Sequence, residues 1–242
     1  MNFFVNKKQI EDEYIYIRNS DVNHIKNVLR MREGDYINIV CDMVKYRAQI
    51  DLLNSEFVKC KIIEKQDTFE NEVKLTIFQG LAKADKIEYI IQKCTELGVF
   101  EIIPVQMRRC VVKLDDKDRS KKIGRWQKIA EVASKQSLRN EILKVDKILD
   151  FKQMCEILPN YDCVLLAYEK EKDITLKKVI RNEIGNAKNI AVIVGPEGGI
   201  DDEEVASLIS CGAKSVTLGS RILRTETAPI MIASIIMYEF GK

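Results

Sequence analysis

The feature that most restricts the fold is an alternation of short apolar runs with segments of helical periodicity, beginning near residue 74. The apolar runs are bounded by turn residues, as expected of strands buried on both faces. They occupy residues 74–79, 100–105, 163–168, 190–194 and 215–218. Helical patterns cover residues 85–97, 120–138, 174–183, 202–210 and 228–240. Strands that alternate with helices predict an α/β domain with a parallel sheet and helices on both of its faces.

The first 68 residues have a different pattern. Clusters of β-forming residues predict short strands at 14–17, 36–40, 46–50 and 58–63, and residues 21–31 predict a short helix. We expect a small β-barrel here. Residues 66–72 are polar and lack periodicity, so they predict a linker between domains at residues 1–68 and 73–242.

Composition excludes several classes of protein. Hydrophobic residues make up 46% of the chain and charged residues 31%, which suits packed globular domains. The sequence has no run of about 18 apolar residues, and its first residues lack the order that marks a secretory signal. The seven cysteines show no C-x-x-C spacing, and His24 is the single histidine. We therefore expect a cytoplasmic protein with reduced cysteines, no membrane segment and no metal.

The first dense motif is the loop at residues 194–200, Val-Gly-Pro-Glu-Gly-Gly-Ile, directly after a predicted strand. Its glycines and proline allow a tight turn whose backbone can approach a ligand closely. The acidic residues 201–204 then open a helix, where they would repel a phosphate. Since the sequence also lacks the G-x-G-x-x-G and G-x-x-x-x-G-K-[ST] motifs, an uncharged or cationic part of a ligand fits this loop better.

The second motif occupies residues 218–229, Leu-Gly-Ser-Arg-Ile-Leu-Arg-Thr-Glu-Thr-Ala-Pro, and also follows a predicted strand. Thr225 or Thr227 can cap the closing helix, and Pro229 is tolerated in its first turn. Capping does not account for two arginines and a glutamate beside a glycine turn. We therefore interpret this segment as part of a ligand site.

Together the two motifs resemble the knot loops of the RsmE family of SPOUT methyltransferases, which methylate N3 of a uridine in 16S ribosomal RNA. Further segments match the family pattern at residues 24–30, 79–86, 92–98, 109–113, 125–126 and 136–139, so the resemblance extends over both predicted domains. One departure is the turn at Met43-Val44, where relatives commonly carry a glycine. This difference concerns a loop of the barrel rather than the knot motifs.

The resemblance implies a PUA-like RNA-binding barrel at residues 1–68 and a SPOUT domain at 73–242 with a C-terminal trefoil knot from about residue 163 to 242. It also implies S-adenosylmethionine as the cofactor, a homodimer, and 16S ribosomal RNA or the small ribosomal subunit as the partner. The implied cofactor-binding residues are Leu166, Ala167, Gly195, Pro196, Glu197, Gly198, Gly199, Leu218, Gly219, Ile222, Leu223 and Thr225. Arg221 or Arg224 is a candidate for the cofactor's carboxylate.

Uridine N3 methylation suggests catalytic candidates. The N3 proton is weakly acidic and lies on the Watson–Crick edge, so the base must be unpaired or extruded. Glu197 and Glu226 are candidate bases, although an ordinary carboxylate is a weak base for this proton. We expect Arg224 to stabilise the uracil anion.

Contacts to RNA are expected from the barrel and from residues 106–147, which hold 13 Lys or Arg against 6 Asp or Glu. The candidates are Arg30, Arg32, Lys83, Arg108, Arg109, Lys113, Arg125 and Arg139. Each of them could equally be a solvated surface charge.

Two other functions remain open from sequence alone. One is a SPOUT methyltransferase that acts on another atom, such as a ribose 2′-hydroxyl. The other is a non-catalytic RNA-binding assembly factor that keeps the knot as a scaffold. An NTP-dependent enzyme is disfavoured because the sequence lacks a phosphate-binding loop.

Overall fold

A computed structural model describes residues 1–68 and 70–241, and the chain divides into two compact units. The first unit comprises Met1–Glu70 and Ser134–Ile142, and the second comprises Asn71–Ala133 and Leu143–Lys242. Residues 134–142 thus group with the first unit, although they fall within the second domain expected from sequence. Phe69, in the expected linker, and Lys242, at the end of the expected second domain, lie outside the described residues.

The first unit contains a six-stranded mixed sheet. Its strands are β1 (Asn2–Phe4), β2 (Ile10–Glu11), β3 (Tyr14–Arg18), β4 (Tyr36–Cys41), β5 (Val44–Leu53) and β6 (Phe57–Asp67). Their order is β1-β4-β5-β6-β3-β2, with β1 parallel to β4 and the other pairs antiparallel. Alternating side chains such as Ile15, Ile17 and Ile39 are buried in one core. Where sequence predicted a small barrel, the described strands form a sheet with β1 and β2 at its edges.

The turn between β4 and β5 is a two-residue hairpin loop formed by Asp42 and Met43, whose φ angles are 45° and 64°. Cys41 and Val44 pair on either side of it. Positive φ at both loop positions matches the twist of the flanking strands, and glycine or asparagine usually occupies such positions. The departure at Met43 therefore puts a bulky side chain on left-handed backbone.

The helix expected at residues 21–31 is shorter and less regular. α1 (Ser20–Asn23) continues into a π-helical segment, His24–Val28, after which Arg30 has a φ of 54°. A left-handed residue stops helix propagation. The side chains of Val28, which ends the π-helical segment, and of Leu29, which follows it, are exposed.

The second unit contains a seven-stranded sheet in which every described pair is parallel. Its strands are β7 (Lys74–Gly80), β8 (Glu101–Gln106), β9 (Lys144–Val145), β10 (Leu149–Asp150), β11 (Cys163–Ala167), β12 (Asn189–Val194) and β13 (Lys214–Val216). Their order is β10-β8-β7-β12-β11-β13, and β9 pairs with β8. Both faces of the central strands are buried, as at Leu75, Thr76 and Ile77, which confirms the parallel α/β expectation.

The helices of the second unit connect these strands. They are α2 (Ala84–Glu96), α3 (Asp116–Gln136), α4 (Phe151–Ile157), α5 (Leu176–Val179), α6 (Asp202–Ser210) and α7 (Thr227–Phe240). α3 runs into the first unit at Ser134, and α5 continues into a π-helical segment, Ile180–Ile184. Within the part of the chain that is described, no helix combines the length and apolarity needed to cross a membrane.

Four strands of the second unit end at the same level. Gln79 of β7 pairs with Val194 of β12, which pairs with Ala167 of β11, and Ala167 pairs with Val216 of β13. The loops after β11, β12 and β13 therefore leave the sheet side by side. In open parallel sheets, the carboxyl ends of the strands are the usual place for a ligand.

Candidate functional site

The loops after β11, β12 and β13 line a cavity of about 570 Å³. Most of the residues selected from sequence line it together. They are Ala167, Gly195, Pro196, Glu197, Gly198, Gly199, Leu218, Gly219, Arg221, Ile222, Leu223, Arg224 and Thr225. Leu166 is fully buried in β11, one residue before the cavity wall. The two motifs thus meet in one pocket, and the described part of that pocket lies entirely in the second unit.

The loop after β12 is shaped by close packing. A Cβ atom on Gly80, the last residue of β7, would lie 2.5 Å from the backbone nitrogen of Pro196. Gly199 has a φ of +71°, and its Cβ would lie 2.8 Å from the Glu169 carboxylate. A side chain at Gly80 would push the loop out of place, whereas at Gly199 the positive φ disfavours any side chain and the Glu169 carboxylate would have to move. Packing therefore requires glycine at residue 80, and backbone conformation favours it at residue 199.

A buried hydrogen-bond chain ties the two motifs to β7. The Gln79 side-chain amide donates to the Thr225 hydroxyl over 3.0 Å, and that hydroxyl donates to the Gly195 carbonyl over 2.7 Å. Gln79 and Thr225 are 0% and 7% exposed. The capping role considered for Thr225 is therefore wrong: Glu226 is the N-cap residue of α7, and Thr225 links the loops instead.

Lys86 of α2 lies between two carboxylates at the cavity wall. Its Nζ is 3.4 Å from Glu197 Oε1 and 3.4 Å from Glu226 Oε2. Glu197 Oε1 also accepts the Lys83 backbone N–H over 3.1 Å. Arg224 Nη1 is 4.0 Å from Glu226 Oε1, while the Arg224 side chain remains 83% exposed. Both candidate bases therefore contact Lys86, which is fixed between them, and Glu226 also contacts Arg224, which is largely solvated.

The Glu197 carboxyl has a pKa below its ordinary value. Burial raises this pKa, but the backbone N–H groups of Glu197 and Lys83 and the Lys86 ammonium outweigh it by stabilising the anion. Glu197 is consequently ionised near neutral pH and a weaker proton acceptor than an ordinary glutamate. This geometry suits it to holding Lys86.

Sequence reasoning missed several residues that line the cavity, among them Lys86, Tyr168, Glu169 and Thr217. Lys86 belongs to the matching segment at residues 79–86, but no role followed from that segment. Its position results from the pairing of β7 with β12. Sheet order was the signal that could have found it, and a motif search does not supply sheet order.

The basic candidates of the second unit have mixed surroundings. Lys83 is exposed. Arg109 is bonded to Asp201 over 3.2 Å, and its side chain is 41% exposed. Arg125 is paired with Glu88 over 2.8 Å and is 69% exposed. All three side chains can be reached from solvent.

In the first unit, Arg30 and Arg32 are exposed. Arg139 is only 7% exposed, and its Nη2 atom lies 3.6 Å from Glu70 Oε2. Glu70 also accepts the backbone N–H groups of Asn140 and Glu141. Arg139 is thus positioned inside the first unit rather than toward a phosphate.

Comparison with known proteins gives concordant matches over both units. A family model described as an RNA methyltransferase domain matches residues 69–237, and one described as an RNA methyltransferase PUA domain matches residues 17–65. The chain is 40% identical over 240 residues to ribosomal RNA small subunit methyltransferase E of Bacillus subtilis, covering 96% of this chain and 93% of that protein. It is 35% identical to the protein of the same name from Mesomycoplasma hyopneumoniae, covering 95% and 96%.

A solved structure is also similar. It is ribosomal RNA small subunit methyltransferase E from Neisseria gonorrhoeae bound to S-adenosyl methionine, with a TM-score of 0.87 and 27% identity. The match covers 99% of this chain and 98% of that one. Sequence and backbone comparisons therefore agree over nearly the full length.

Proposed function

Because the chain belongs to the ribosomal RNA small subunit methyltransferase E family, we propose that it methylates N3 of a uridine in 16S ribosomal RNA. Methylation of ribosomal RNA with S-adenosylmethionine as the methyl donor is the activity of the family. What we propose beyond this activity is the target atom, N3, and the nucleotide, a uridine in 16S ribosomal RNA. The observation that carries this proposal is the meeting of both glycine-bearing motifs in one cavity at the ends of parallel strands.

The residues of the cavity suit S-adenosylmethionine. The volume of the cavity, about 570 Å³, lies within the range of small-ligand sites. The loop at residues 195–199 offers closely approachable backbone for the adenine edge, and Leu218 and Leu223 offer apolar contact. Glu169 supplies negative charge at the wall, which favours the cationic part of the ligand. When bound, this molecule supplies a methyl group made electrophilic by its sulfonium.

We propose that Lys86 and Arg224 stabilise the uracil anion. Loss of the N3 proton spreads negative charge onto O2 and O4 of the base, and a cation at these oxygens lowers the cost of that loss. Lys86 is held by two carboxylates, so little reorganisation is needed when the base arrives. Arg224 is free to move from its 83% exposed position toward the incoming RNA.

The two glutamates have different proposed roles. Glu197 fixes Lys86 and the start of α2, because its carboxylate contacts both the Lys86 ammonium and the Lys83 N–H. Glu226 is the proposed acceptor of the N3 proton. A carboxylate is a weak base for such a proton, so transfer depends on the neighbouring cations.

Exposed cations of each unit are proposed to contact RNA. Arg30 and Arg32 contribute in the first unit, and Lys83, Arg109 and Arg125 contribute in the second. Arg139 is left out because it is buried against Glu70. Contacts of this kind should make affinity fall with salt by roughly 0.7 to 0.9 log units per phosphate for each log unit of salt.

We also propose that the protein acts as a homodimer in the cytoplasm, where ribosomes are assembled. Support comes from α7, which is apolar on more than its buried face. Ile230, Met231 and Ile235 are half-buried, and Tyr238 is 90% exposed. An apolar helix surface of this kind is typical of a subunit interface. The trefoil knot from about residue 163 to 242 is likewise a proposal, supported by the family resemblance.

The direct test is methyl transfer by the purified protein. Small subunits or 16S RNA from cells that lack this protein are incubated with labelled S-adenosylmethionine, and the digested nucleosides are separated. The expected product is 3-methyluridine at one position. Heat-inactivated protein serves as the control.

The same assay separates the alternatives. A ribose-methylated nucleoside would replace N3 by a 2′-hydroxyl as the target. Cofactor binding without transfer to either RNA substrate would instead favour the scaffold function.

A further inference from the structure

A second cavity of about 770 Å³ lies in the second unit, where β8 ends and α3, α4 and α6 begin. We call it the basic cavity. Its walls include Arg108, Lys113, Arg119, Phe151, Lys152 and Glu204. Four of these side chains are cationic, and three of them, Arg108, Lys113 and Arg119, belong to the basic block at residues 106–147 from which RNA contacts are expected.

The carboxylates of the basic cavity are already engaged. Glu203 is bonded to the Arg108 guanidinium, and buried Glu204 accepts the Arg108 backbone N–H over 3.0 Å. Asp150 accepts the Gln153 N–H over 2.8 Å and thereby caps α4. Glu203 is therefore the lining carboxylate that pairs with Arg108, whereas Asp150 and Glu204 accept backbone N–H groups, and Glu204 Oε2 has no hydrogen-bond partner among the described residues.

Three other cations have no such partner. Among the described residues, no carboxylate lies within ion-pair distance of Lys113, Arg119 or Lys152. Lys113 and Lys152 are exposed, and Arg119 donates from Nε to the Leu114 carbonyl over 3.2 Å. The cavity is lined by four cations and three carboxylates, so it carries a small net positive charge, and its three unpaired cations remain available to an anionic ligand.

Phe151 supplies an aromatic surface between these charges. It is the first residue of α4, and its half-buried ring packs against the core while it lines the cavity. Cations beside an aromatic surface are the combination that binds a phosphate together with a stacked base. Inorganic phosphate alone would leave the ring unused.

The basic cavity adjoins the cavity lined by the loops after β11, β12 and β13, which we call the cofactor cavity, through consecutive residues. Arg108 lines the basic cavity, while the Arg109 carbonyl lies 3.0 Å from the position of a Cβ on Gly198, in the wall of the cofactor cavity. The Asp201 carboxylate accepts from both guanidinium groups over 3.2 Å. An RNA strand whose target base enters the cofactor cavity can therefore reach the basic cavity with a flanking nucleotide.

We propose that the basic cavity binds a phosphorylated nucleotide of the RNA strand that flanks the target uridine. Lys113, Arg119 and Lys152 contact its phosphate, and the base stacks on Phe151. This inference rests on the proposed function for the identity of the strand. A free nucleotide offers the same phosphate and base, so the experiment distinguishes a nucleotide within an RNA strand from a free nucleotide.

The test compares RNA binding by three variants of the full-length protein with binding by the wild type. K113Q/K152Q removes two unpaired cations, and F151L removes the aromatic plane while keeping an apolar side chain. K177Q/K178Q removes two exposed lysines of α5 as the matched control. Affinity for 16S RNA is measured over a range of salt concentrations without cofactor.

The first two variants should each weaken RNA binding about tenfold. K113Q/K152Q should also reduce the salt slope by roughly 0.7 per lost contact. Affinity for S-adenosylmethionine should stay unchanged, and KM for RNA should rise with kcat preserved. An equal loss in K177Q/K178Q, or no loss in the first two variants, would overturn the inference.

A second arm titrates the wild type with uridine and guanosine 5′-monophosphates and with inorganic phosphate. Weak binding that RNA displaces supports a site for the strand. Tight binding of a free nucleotide that persists in the presence of RNA would overturn it. Because these readouts need no methyl transfer, loss of the proposed N3 activity and loss of this binding site are distinguishable results.

Discussion

Lys86 has the most constrained charge in the cofactor cavity. Its ammonium lies 3.4 Å from two carboxylates that come from different loops, whereas Arg224 extends into solvent. A cation fixed in advance stabilises developing charge more effectively than one that must be ordered during the reaction. Lys86, which the motifs alone did not identify, is therefore a stronger candidate for anion stabilisation than Arg224.

Replacement of Lys86 by Gln should reduce kcat roughly 10²-fold, in the range observed when one oxyanion donor is removed. Arg224→Ala should also strongly reduce turnover. Both variants should keep the wild-type Kd for S-adenosylmethionine, measured by calorimetry. Lys93→Gln, on the same helix, is the control. Wild-type turnover in K86Q or in R224A would eliminate the corresponding role.

Met43 is a second residue whose side chain has an effect that can be predicted, here on the free energy of unfolding. Its φ of 64° is a left-handed conformation that disfavours any residue with a Cβ. Met43→Gly should raise the free energy of unfolding by about 1 kcal/mol, measured by chemical denaturation. Lys45→Gly, on the neighbouring strand, should lower it instead. A destabilised M43G protein would contradict the assigned turn conformation.

Periodicity identified the long or strongly apolar elements well. Helix α6 occupies the expected residues 202–210, and α7 differs from expectation by one residue. The region between residues 139 and 162 gave no prediction, since β9 and β10 have only two residues each and α4 has seven. Elements this short carry too few side chains for a period to show.

Thr225 illustrates why local sequence rules misassigned one part of the site. A threonine just before a helix is a common N-cap, so capping was the obvious interpretation. Its hydroxyl instead joins Gln79 and the Gly195 carbonyl, which are 146 and 30 residues away in sequence. Only the tertiary fold brings these groups together.

Replacement of Thr225 by Val should loosen the two loops. It leaves the Gln79 amide with its bond to the Gly80 carbonyl and the Gly195 carbonyl with only a 3.5 Å contact from that amide. Loss of a buried hydrogen-bond partner costs up to about 1–3 kcal/mol. The Kd for S-adenosylmethionine should rise about tenfold or more, measured by calorimetry. Thr227→Val, at the exposed first position of α7, should bind like the wild type. Unchanged affinity in T225V would mean that the loops are held by other contacts.

Formation of the proposed dimer depends on which apolar side chains are exposed at the protein surface, and sequence motifs do not give this. The apolar side chains of α7 were read from sequence as one helix, but sequence does not tell which of them the core leaves uncovered. Tyr238 is 90% exposed next to half-buried Ile235. Covering such a surface is the physical reason for the proposed dimer.

Tyr238→Glu should shift the protein from dimer to monomer at micromolar concentration, because the carboxylate would have to be desolvated in the interface. Sedimentation equilibrium measures this shift. Tyr36→Glu replaces an exposed tyrosine of the first unit and should leave the mass unchanged. A dimeric Y238E protein would place the contact on another surface.

Sequence thus found residues that lie next to one another along the chain, including most of the residues that the two motifs contribute to the cavity. It did not find Lys86, because that residue reaches the site through the neighbouring positions of β7 and β12. Neither did it separate exposed from buried arginines, as Arg139 shows.

The bond chain from Gln79 through Thr225 to Gly195 also has a consequence for biosynthesis. A nascent polypeptide translated only as far as α6 already contains the Gly195 loop but not the threonine that anchors it. Affinity for the methyl donor should therefore arise late in translation, and prematurely terminated products should neither sequester the donor nor modify RNA.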